Sequence, residues 1–356
     1  MLKATQKQSI GIDVSCKDFA ACYCLRDFHE GHIFSDVHTF SNDKHGFNQF
    51  MRWVAKTVTK GSETIFLMEA TGVYHQELVY HLHKLKKKIV VALPNKTRNF
   101  FKSLNIKSKT DELDAKVLSR FALEREHQLW QPPSESYKKL RELTRHYKQL
   151  QEQRTSVGNI LHSNETAFEV DELIKESNKA IIKVIDSRID ECVKAIKKLI
   201  SEDEEIKSNI GLLTSIKGVG MLTAAITLAE TDGFHGFSSS KQLVSFAGFD
   251  VVHFESGTSV KRKSHISKKG NKYIRGSLYF PGMAAVRHNK KLKDNYARIR
   301  SRGAEKMVGQ VAVQRKLLVL MYTIWKTKTP YDPNYKKVAP AKAGATQDTT
   351  SNEMVP

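Results

Sequence analysis

Four carboxylates in the chain stand where residue type and spacing point to chemistry. Asp13 lies inside the aliphatic run IGIDVS, between Ile12 and Val14, and an ionised carboxylate there is costly to bury unless its charge is neutralised. Glu69 closes a second apolar run, in IFLMEATG. Asp111 and Asp114, in KTDELDA, are three residues apart at the start of a helix-forming segment, so both project from one face. Helix N-termini favour acids through the helix dipole, which alone would account for this last pair. Carboxylate oxygens are also the ligands that Mg2+ takes, with Mn2+ as the alternative. Two-metal sites use them to activate a nucleophile and to stabilise the leaving oxygen of a phosphodiester.

Cations able to hold such a phosphodiester are concentrated later in the chain. Between Lys261 and Arg302 there are fourteen Lys or Arg against one acid, Asp294. The run opens with Lys261, Arg262, Lys263, Lys268, Lys269, Lys272 and Arg275, and Tyr273, Phe280 and Tyr296 interleave with the charges. Solvated helix faces normally mix both signs. A single sign with interleaved aromatics predicts nucleic-acid binding. Just before this run, the polar stretch FESGTSVKRK holds Ser256 and Ser259. A serine hydroxyl is a weak nucleophile that needs a base or a metal, and cations to hold the phosphate. No His-Asp pair is close in sequence, although His253 is near. On residue types alone, Ser256 is one loop serine among several.

The elements that must position these residues follow from periodicity. Ser9 to Val14, Phe19 to Leu25 and His32 to Phe40 read as three strands, and Thr64 to Glu69 as a buried central strand. Helices are predicted over 45–57, 74–86, 95–104 and 111–125, with a strand at 88–93. Three strands followed by alternating helix and strand is the order of a ribonuclease-H-like fold, occupying residues 1–130. Its first strand, fourth strand and last helix would bring the four carboxylates to one end of the sheet. After Pro132 and Pro133, Tyr137, Leu140, Leu143, Tyr147 and Leu150 step by three and four, as do Ile182, Ile185, Ile189, Val193, Ile196 and Ile200. Two long helices with narrow apolar stripes, separated by a polar turn at 163–171, predict an antiparallel hairpin or a coiled coil over 131–207. A mainly helical domain is expected over 208–329. It opens with LLTSIKGVGMLTAAITLAE, where Lys217 to Gly220 join two apolar helices. That turn reads equally as a helix-hairpin-helix-like phosphate site and as packing. Near its end, VAVQRKLLVLMYTIWKT places Leu317, Leu318 and Leu320 in the core. The tail, 330–356, is expected to be disordered.

Composition bounds the function. The 356 residues carry 58 Lys plus Arg against 38 Asp plus Glu, a formal net charge of +20, which calls for a polyanionic partner. No apolar run approaches the length of a membrane span, and the N-terminus lacks the apolar core of a signal peptide, so a cytoplasmic protein without membrane attachment is expected. Cys16, Cys22, Cys24 and Cys192 have neither a disulfide framework nor a zinc-ligand spacing. No Gly-x-x-x-x-Gly-Lys-Ser/Thr loop exists, which argues against an ATP-driven enzyme.

Taken together, IGIDVS, EATGVY and KTDELDA resemble the DEDD signature of the transposases and site-specific invertases of the insertion sequence one-ten family, whose N-terminal domain is similar to RuvC. Thr71, Gly72, Lys109 and Thr110 match the same local motifs. The later Ser267, Lys268, Gly270, Asn271, Ile274 and Arg275 resemble the family's C-terminal transposase domain. The resemblance implies a metal-dependent DNA recombinase in which Asp13, Glu69, Asp111 and Asp114 bind the metal and Ser256, before Gly257, is the nucleophile, with Ser259 as the alternative. It also implies donor and target double-stranded DNA as partners, a structured guide RNA encoded by the element, and a homo-oligomer, a dimer that forms a tetramer in the synaptic complex. A metal-dependent junction resolvase or nuclease without a covalent serine intermediate is the competing reading.

Overall fold

Nearly continuous burial, on both faces of the sheet, marks the first strands. β1 (Lys7–Val14) pairs antiparallel with β2 (Asp18–Asp27), whose far edge carries β3 (Gly31–Phe34) and β4 (His38–Ser41). In the computed structural model, residues 7–27, 31–59, 61–70, 72–106, 108, 110–256, 260–261 and 264–335 are described, with backbone alone at 256, 260 and 261. The single strand expected from His32 to Phe40 is thus two. Ser35 explains the break: its hydroxyl accepts from the Tyr23 amide at 3.1 Å while its own amide donates to the Tyr23 carbonyl at 3.0 Å, so the strand is tied to β2 where the ladder is interrupted.

Beyond the edge strands follow α1 (Lys44–Thr57), β5 (Thr64–Glu69), α2 (Gln76–Lys84), β6 (Lys88–Ala92), α3 (Pro94–Ser103) and α4 (Asp111–Glu124). β5 runs parallel to β1, and β6 parallel to β5. The spatial order β3-β2-β1-β5-β6, with helices on both faces, is consistent with the ribonuclease-H-like order. On one face Ile10, Ile12, Phe66 and Met68 meet Phe47 and Phe50 of α1 and Leu78 of α2. On the other Leu67, Val90 and Ala92 meet Phe100 of α3 and Val117, Leu118 and Phe121 of α4. Cys22 and Cys24 are buried on the same side of β2.

The chain divides into two compact units, Met1–Pro132 and Pro133–Pro356. In the second, α5 (Glu135–Thr166) and α6 (Glu172–Glu202) form an antiparallel hairpin. α5 runs on to Thr166, into the region read as a polar turn, and the connection is Ala167 to Asp171, inside that region, with Glu169 in the left-handed conformation at φ 51°. Buried positions on α5 end at Leu150 and those on α6 begin at Ile185. The lower half of the hairpin therefore belongs to a core shared with α7 (Glu204–Thr214) and α8 (Met221–Thr231), while the upper half stands clear of it.

A 3-10 turn, α9 (Ser240–Phe246), the short strands β7 (Val251–Val252), β8 (Glu255–Ser256), β9 (Val260–Lys261) and β10 (His265–Ile266), and helices α10 (Lys272–Ser277), α11 (Tyr279–His288), α12 (Lys290–Arg300) and α13 (Lys306–Thr327) complete the unit. Leu317 and Leu318 are fully buried; Leu320 is half-buried, on the open side of α13. Residues 330–335, counted with the tail in the sequence reading, are tied back to the unit at Tyr331: its amide donates to Ser215 Oγ at 2.8 Å, and Asn289 donates to its hydroxyl at 2.7 Å. Residues 336–356 lie outside the described residues. Among the described residues no helix is long and apolar enough to cross a membrane.

In the first unit α4 approaches β1 very closely at Gly11. A Cβ there would stand 2.1 Å from the Ser119 amide nitrogen and 2.2 Å from the Ala115 carbonyl oxygen. Both are backbone atoms, so no rotamer change relieves the clash. Gly11→Ala is therefore expected to destabilise the unit by about 1–3 kcal/mol, the usual cost of overpacking, read as a fall in the thermal unfolding midpoint. An unchanged midpoint would show that α4 can lift from the sheet without loss.

Candidate active site

The four carboxylates sit on three neighbouring elements of the first unit. On β1, Ser9, Gly11 and Asp13 share a face by strand alternation. Ser9 Oγ donates to the Ser119 carbonyl at 2.7 Å, and Gly11 lies under Ala115 and Ser119. Two strand residues advance about 6.6 Å and one helical turn about 5.4 Å. Moving from Ser9 to Gly11 to Asp13 therefore moves one turn at a time back along α4, from Ser119 to Ala115 to the first turn, where Asp111 and Asp114 are. Glu69 ends β5 two residues after Leu67, which packs against α4 on the same face. Ile12 pairs in register with Met68, so Asp13 and Glu69 are the next step along adjacent parallel strands. At their C-terminal ends both side chains are half-buried.

The first turn of α4 separates its two aspartates. Asp114 is 8% exposed, facing the sheet, whereas Asp111 at the first helical position is exposed. Thr110 caps the helix, its hydroxyl accepting from the Leu113 amide at 3.2 Å, which fixes the turn that carries both. Thr71 and Lys109, two of the motif neighbours, lie outside the described residues. Thr97, buried on α3, donates its hydroxyl to Glu69 Oε2 at 2.5 Å and so orients that carboxylate. The donor set is all oxygen, which suits a hard divalent cation. Among the described residues no three His, Cys, Asp or Glu side chains are close enough together to hold a metal; the carboxylates share one end of the sheet without forming a closed cage.

In the second unit the serine region is a short ribbon. β7 pairs with β10 and β8 with β9, antiparallel, and Ser256 ends β8 opposite Val260. Gly257, Ser259, Arg262 and Lys263 lie outside the described residues, and Lys261 pairs opposite Glu255. The base of the ribbon is clamped. Ser267 donates to Asp250 Oδ1 at 2.6 Å, and the Asn271 amide donates to the Phe246 carbonyl at 2.7 Å. Gly270 lies so close to the chain at 246–248 that a Cβ would stand 2.4 Å from the Phe246 carbonyl oxygen. Arg275 donates to the Ala247 carbonyl at 2.7 Å, and its desolvation lowers its pKa. Asn271 caps α10 and also donates to Glu230 Oε2 at 2.6 Å. Glu230, whose side chain is 2% exposed, accepts two bonds from Arg145 of α5, at 2.6 and 2.8 Å. That carboxylate holds the Arg145 proton more tightly than usual, and the guanidinium lies 4.9 Å over the Tyr273 ring.

Both halves of this geometry fall within one family. Residues 10–164 match a DEDD-type model described as Transposase, and residues 211–297 match one described as Transposase IS116/IS110/IS902 family. The chain belongs to the IS110 family of transposases. It is similar to the pilin gene-inverting proteins of Moraxella bovis and Moraxella lacunata, each 28% identical over 331 residues, 92% of this chain and 98% of theirs. It is also similar to the 43.6 kDa protein of insertion element IS110 from Streptomyces coelicolor, 26% identical over 121 residues, 34% of this chain and 30% of that protein. An IS110-family transposase is an enzyme that acts on DNA, and the DEDD type points to a divalent metal.

Within this transposase the basic residues divide. Lys268, Lys269 and Lys272 are exposed, with Lys272 Nζ 5.2 Å over the Tyr273 ring. Arg275 is spent on the clamp. The Gly218 turn has a packing task, since a Cβ there would lie 3.1 Å from the Ala284 side chain and its φ is +96°. Thr97 and the Arg145–Glu230–Asn271 network escaped sequence reasoning, because each partner lies far away in the chain and only the fold joins them. Arg145→Ala leaves the buried Glu230 carboxylate without its counter-charge. It is expected to cost roughly 2–3 kcal/mol, below the range for a fully buried pair because Arg145 keeps solvent contact. That corresponds to a fall of about 5–10 °C in the unfolding midpoint of the second unit; a change below 1 °C, on the order of measurement error, would remove the network from the stability of this unit.

Proposed function

We propose that the chain is a DNA strand-exchange recombinase with a serine nucleophile, carried above all by the placement of Asp13 and Glu69 at adjacent strand ends beneath the first turn of α4. Asp13, Glu69, Asp111 and Asp114 would hold the divalent cation, Mg2+ or Mn2+, through oxygen. When bound, the cation supplies Lewis-acid stabilisation of the phosphodiester oxygens. Thr97 orients Glu69 for this task. Ser256 Oγ forms a bond to phosphorus as the bond from phosphorus to one deoxyribose oxygen breaks, and the proton lost from the serine hydroxyl is balanced by the proton gained by the leaving oxygen. The chain stays covalently attached to one DNA end, so the energy of the broken bond is kept for rejoining to another strand.

Lys268, Lys269 and Lys272, with Lys261, Arg262 and Lys263 nearby in sequence, neutralise phosphates and so supply affinity without sequence choice. Family membership supports a guide RNA whose loops pair with donor and target, leaving sequence selection to base pairing. Each cut strand needs its own serine, so exchange between two duplexes calls for a dimer at least and a tetramer when all four strands are cut. The names of the Moraxella relatives describe inversion of a gene, which is the same breaking and rejoining within one molecule.

The test combines two readouts with donor and target DNA and the chain's RNA-containing complex. Ser256→Ala is expected to abolish both recombination and the protein–DNA adduct that survives denaturation. Asp13→Asn and Glu69→Gln are each expected to lower recombination by about a hundredfold or more, in line with loss of a metal ligand's contribution to transition-state charge. Nicked product without an adduct in the unmodified protein would favour the resolvase reading. Full recombination by Ser256→Ala would shift the nucleophile elsewhere, with Ser259 next in line.

A further inference from the structure

The tip of the α5–α6 hairpin is acidic and apolar in a chain of net charge +20. Phe168 is 90% exposed and Leu173 76%, with Ile174 also open to solvent. From Glu165 to Glu176 there are five acids, Glu165, Glu169, Asp171, Glu172 and Glu176, and one cation, Lys175, which is held by Glu172 at 3.2 Å. Negative charge excludes nucleic acid as the partner of this tip, and its aromatic and aliphatic side chains call for an apolar seat.

The same unit offers such a seat. Between the base of the ribbon, α12 and α13 lies a groove of about 1460 Å³. Its floor is apolar, with Met307, Val308, Val311 and Leu320 from α13 and its approach, and Met307 and Val308 are solvent-exposed. Its rim carries Lys268, Lys291, Arg298, Arg315 and Lys316 against two acids, Glu305 and Asp332. Apolarity and sign are thus the complement of the hairpin tip. The part of α5 beyond Leu150, its last buried residue, is about 24 Å long at 1.5 Å per residue, and it carries the tip away from the core that the groove borders.

We propose that the groove receives the hairpin tip of a second copy of this chain, Phe168 and Leu173 entering against Met307 and Val308 while the tip's acids meet Arg298, Arg315 and Lys316. Reciprocal insertion fills both grooves of a closed two-fold dimer. This deepens the oligomer proposed above and is tested without DNA, RNA or metal, so that failure of the contact and failure of the chemistry are distinguishable.

The experiment uses full-length chains with the exposed Cys16 replaced by Ser. One population carries Phe168→Cys and a second, of different tagged mass, carries Met307→Cys; each alone and the mixture are treated with a short bis-maleimide. A cross-link joining the two variants in the mixture, and absent from each alone, is expected. A cross-linked homodimer of Phe168→Cys alone would mean tip-to-tip association and overturn the proposal. So would a cross-link that appears only after deletion of residues 336–356, which would assign the groove to the chain's own C-terminal segment. In sedimentation, Phe168→Asp with Leu173→Asp is expected to weaken dimerisation by about thirtyfold or more, the effect of losing a buried aromatic anchor, with an unchanged unfolding midpoint. Glu165→Lys, Glu169→Lys and Glu172→Lys together should weaken it likewise, and Arg298→Glu, Arg315→Glu and Lys316→Glu in the partner should restore it. If the three groove changes lowered only DNA affinity and left self-association intact, the groove would be a nucleic-acid surface and the proposal would fail.

Discussion

The close approach of α4 to β1 at Gly11 is the constraint on which the candidate active site depends. A helix resting on larger side chains would pack further from the sheet and lift the carboxylates of its first turn away from those on the strand below. Gly11 removes the spacer, and Ser9 donates its hydroxyl to the Ser119 carbonyl one turn further on. These two contacts fix both the height of α4 and its position along β1, so the level at which Asp111 and Asp114 begin is set by residues that carry no charge. Cys22 and Ala20 on β2, small side chains packed with Ala115, continue the same close seat.

Much of this was legible because the informative signals are local. A carboxylate that interrupts or ends an aliphatic strand, as Asp13 and Glu69 do, is visible in six residues, and the strand Thr64–Glu69 was bounded correctly from its composition. Stripe periodicity likewise gave both long helices. What was not legible rests on contacts between distant residues. The break in the edge strand depends on Ser35 meeting Tyr23 across the sheet, and Thr97 reads as an ordinary helical residue until β5 is placed beside it. Arg275 stood among cations and was counted with them; only its bond to the Ala247 carbonyl shows that its charge serves the fold. Leu320 belongs to a stripe whose neighbours are buried, but helix periodicity does not say which side of a long helix the domain leaves uncovered.

The two units solve the problem of buried charge in opposite ways. In the first, carboxylates lie toward one end of a sheet with exposures that run from buried at Asp114 to open at Asp111, and the proposed function gives them a cation to share. In the second, a single buried carboxylate, Glu230, is satisfied by Arg145 and Asn271, and its surroundings are closed. An ion pair of this kind adds little net stability against an apolar replacement, but it fixes geometry because a misplaced partner leaves a charge unpaired. Here the fixed geometry joins α5, α8 and the start of α10, three elements that also share one apolar core.

That rigidity bears on the ribbon. Strands of two residues do not hold their own register, since an isolated hairpin is marginal even when far longer. Its order must come from below, and the bonds from Ser267 to Asp250, from the Asn271 amide to Phe246 and from Arg275 to Ala247 supply it. Glycine at 270 is required because the two backbones touch there. The matched motif in this segment therefore has a structural meaning independent of any contact with DNA: it is the footing of the ribbon on which the proposed nucleophile stands. The footing is itself tied through Asn271 to Glu230 and so to the long hairpin. A displacement of α5 relative to α8 would reach the ribbon base through the Arg145, Glu230 and Asn271 side chains, which gives the hairpin a physical route to the ribbon.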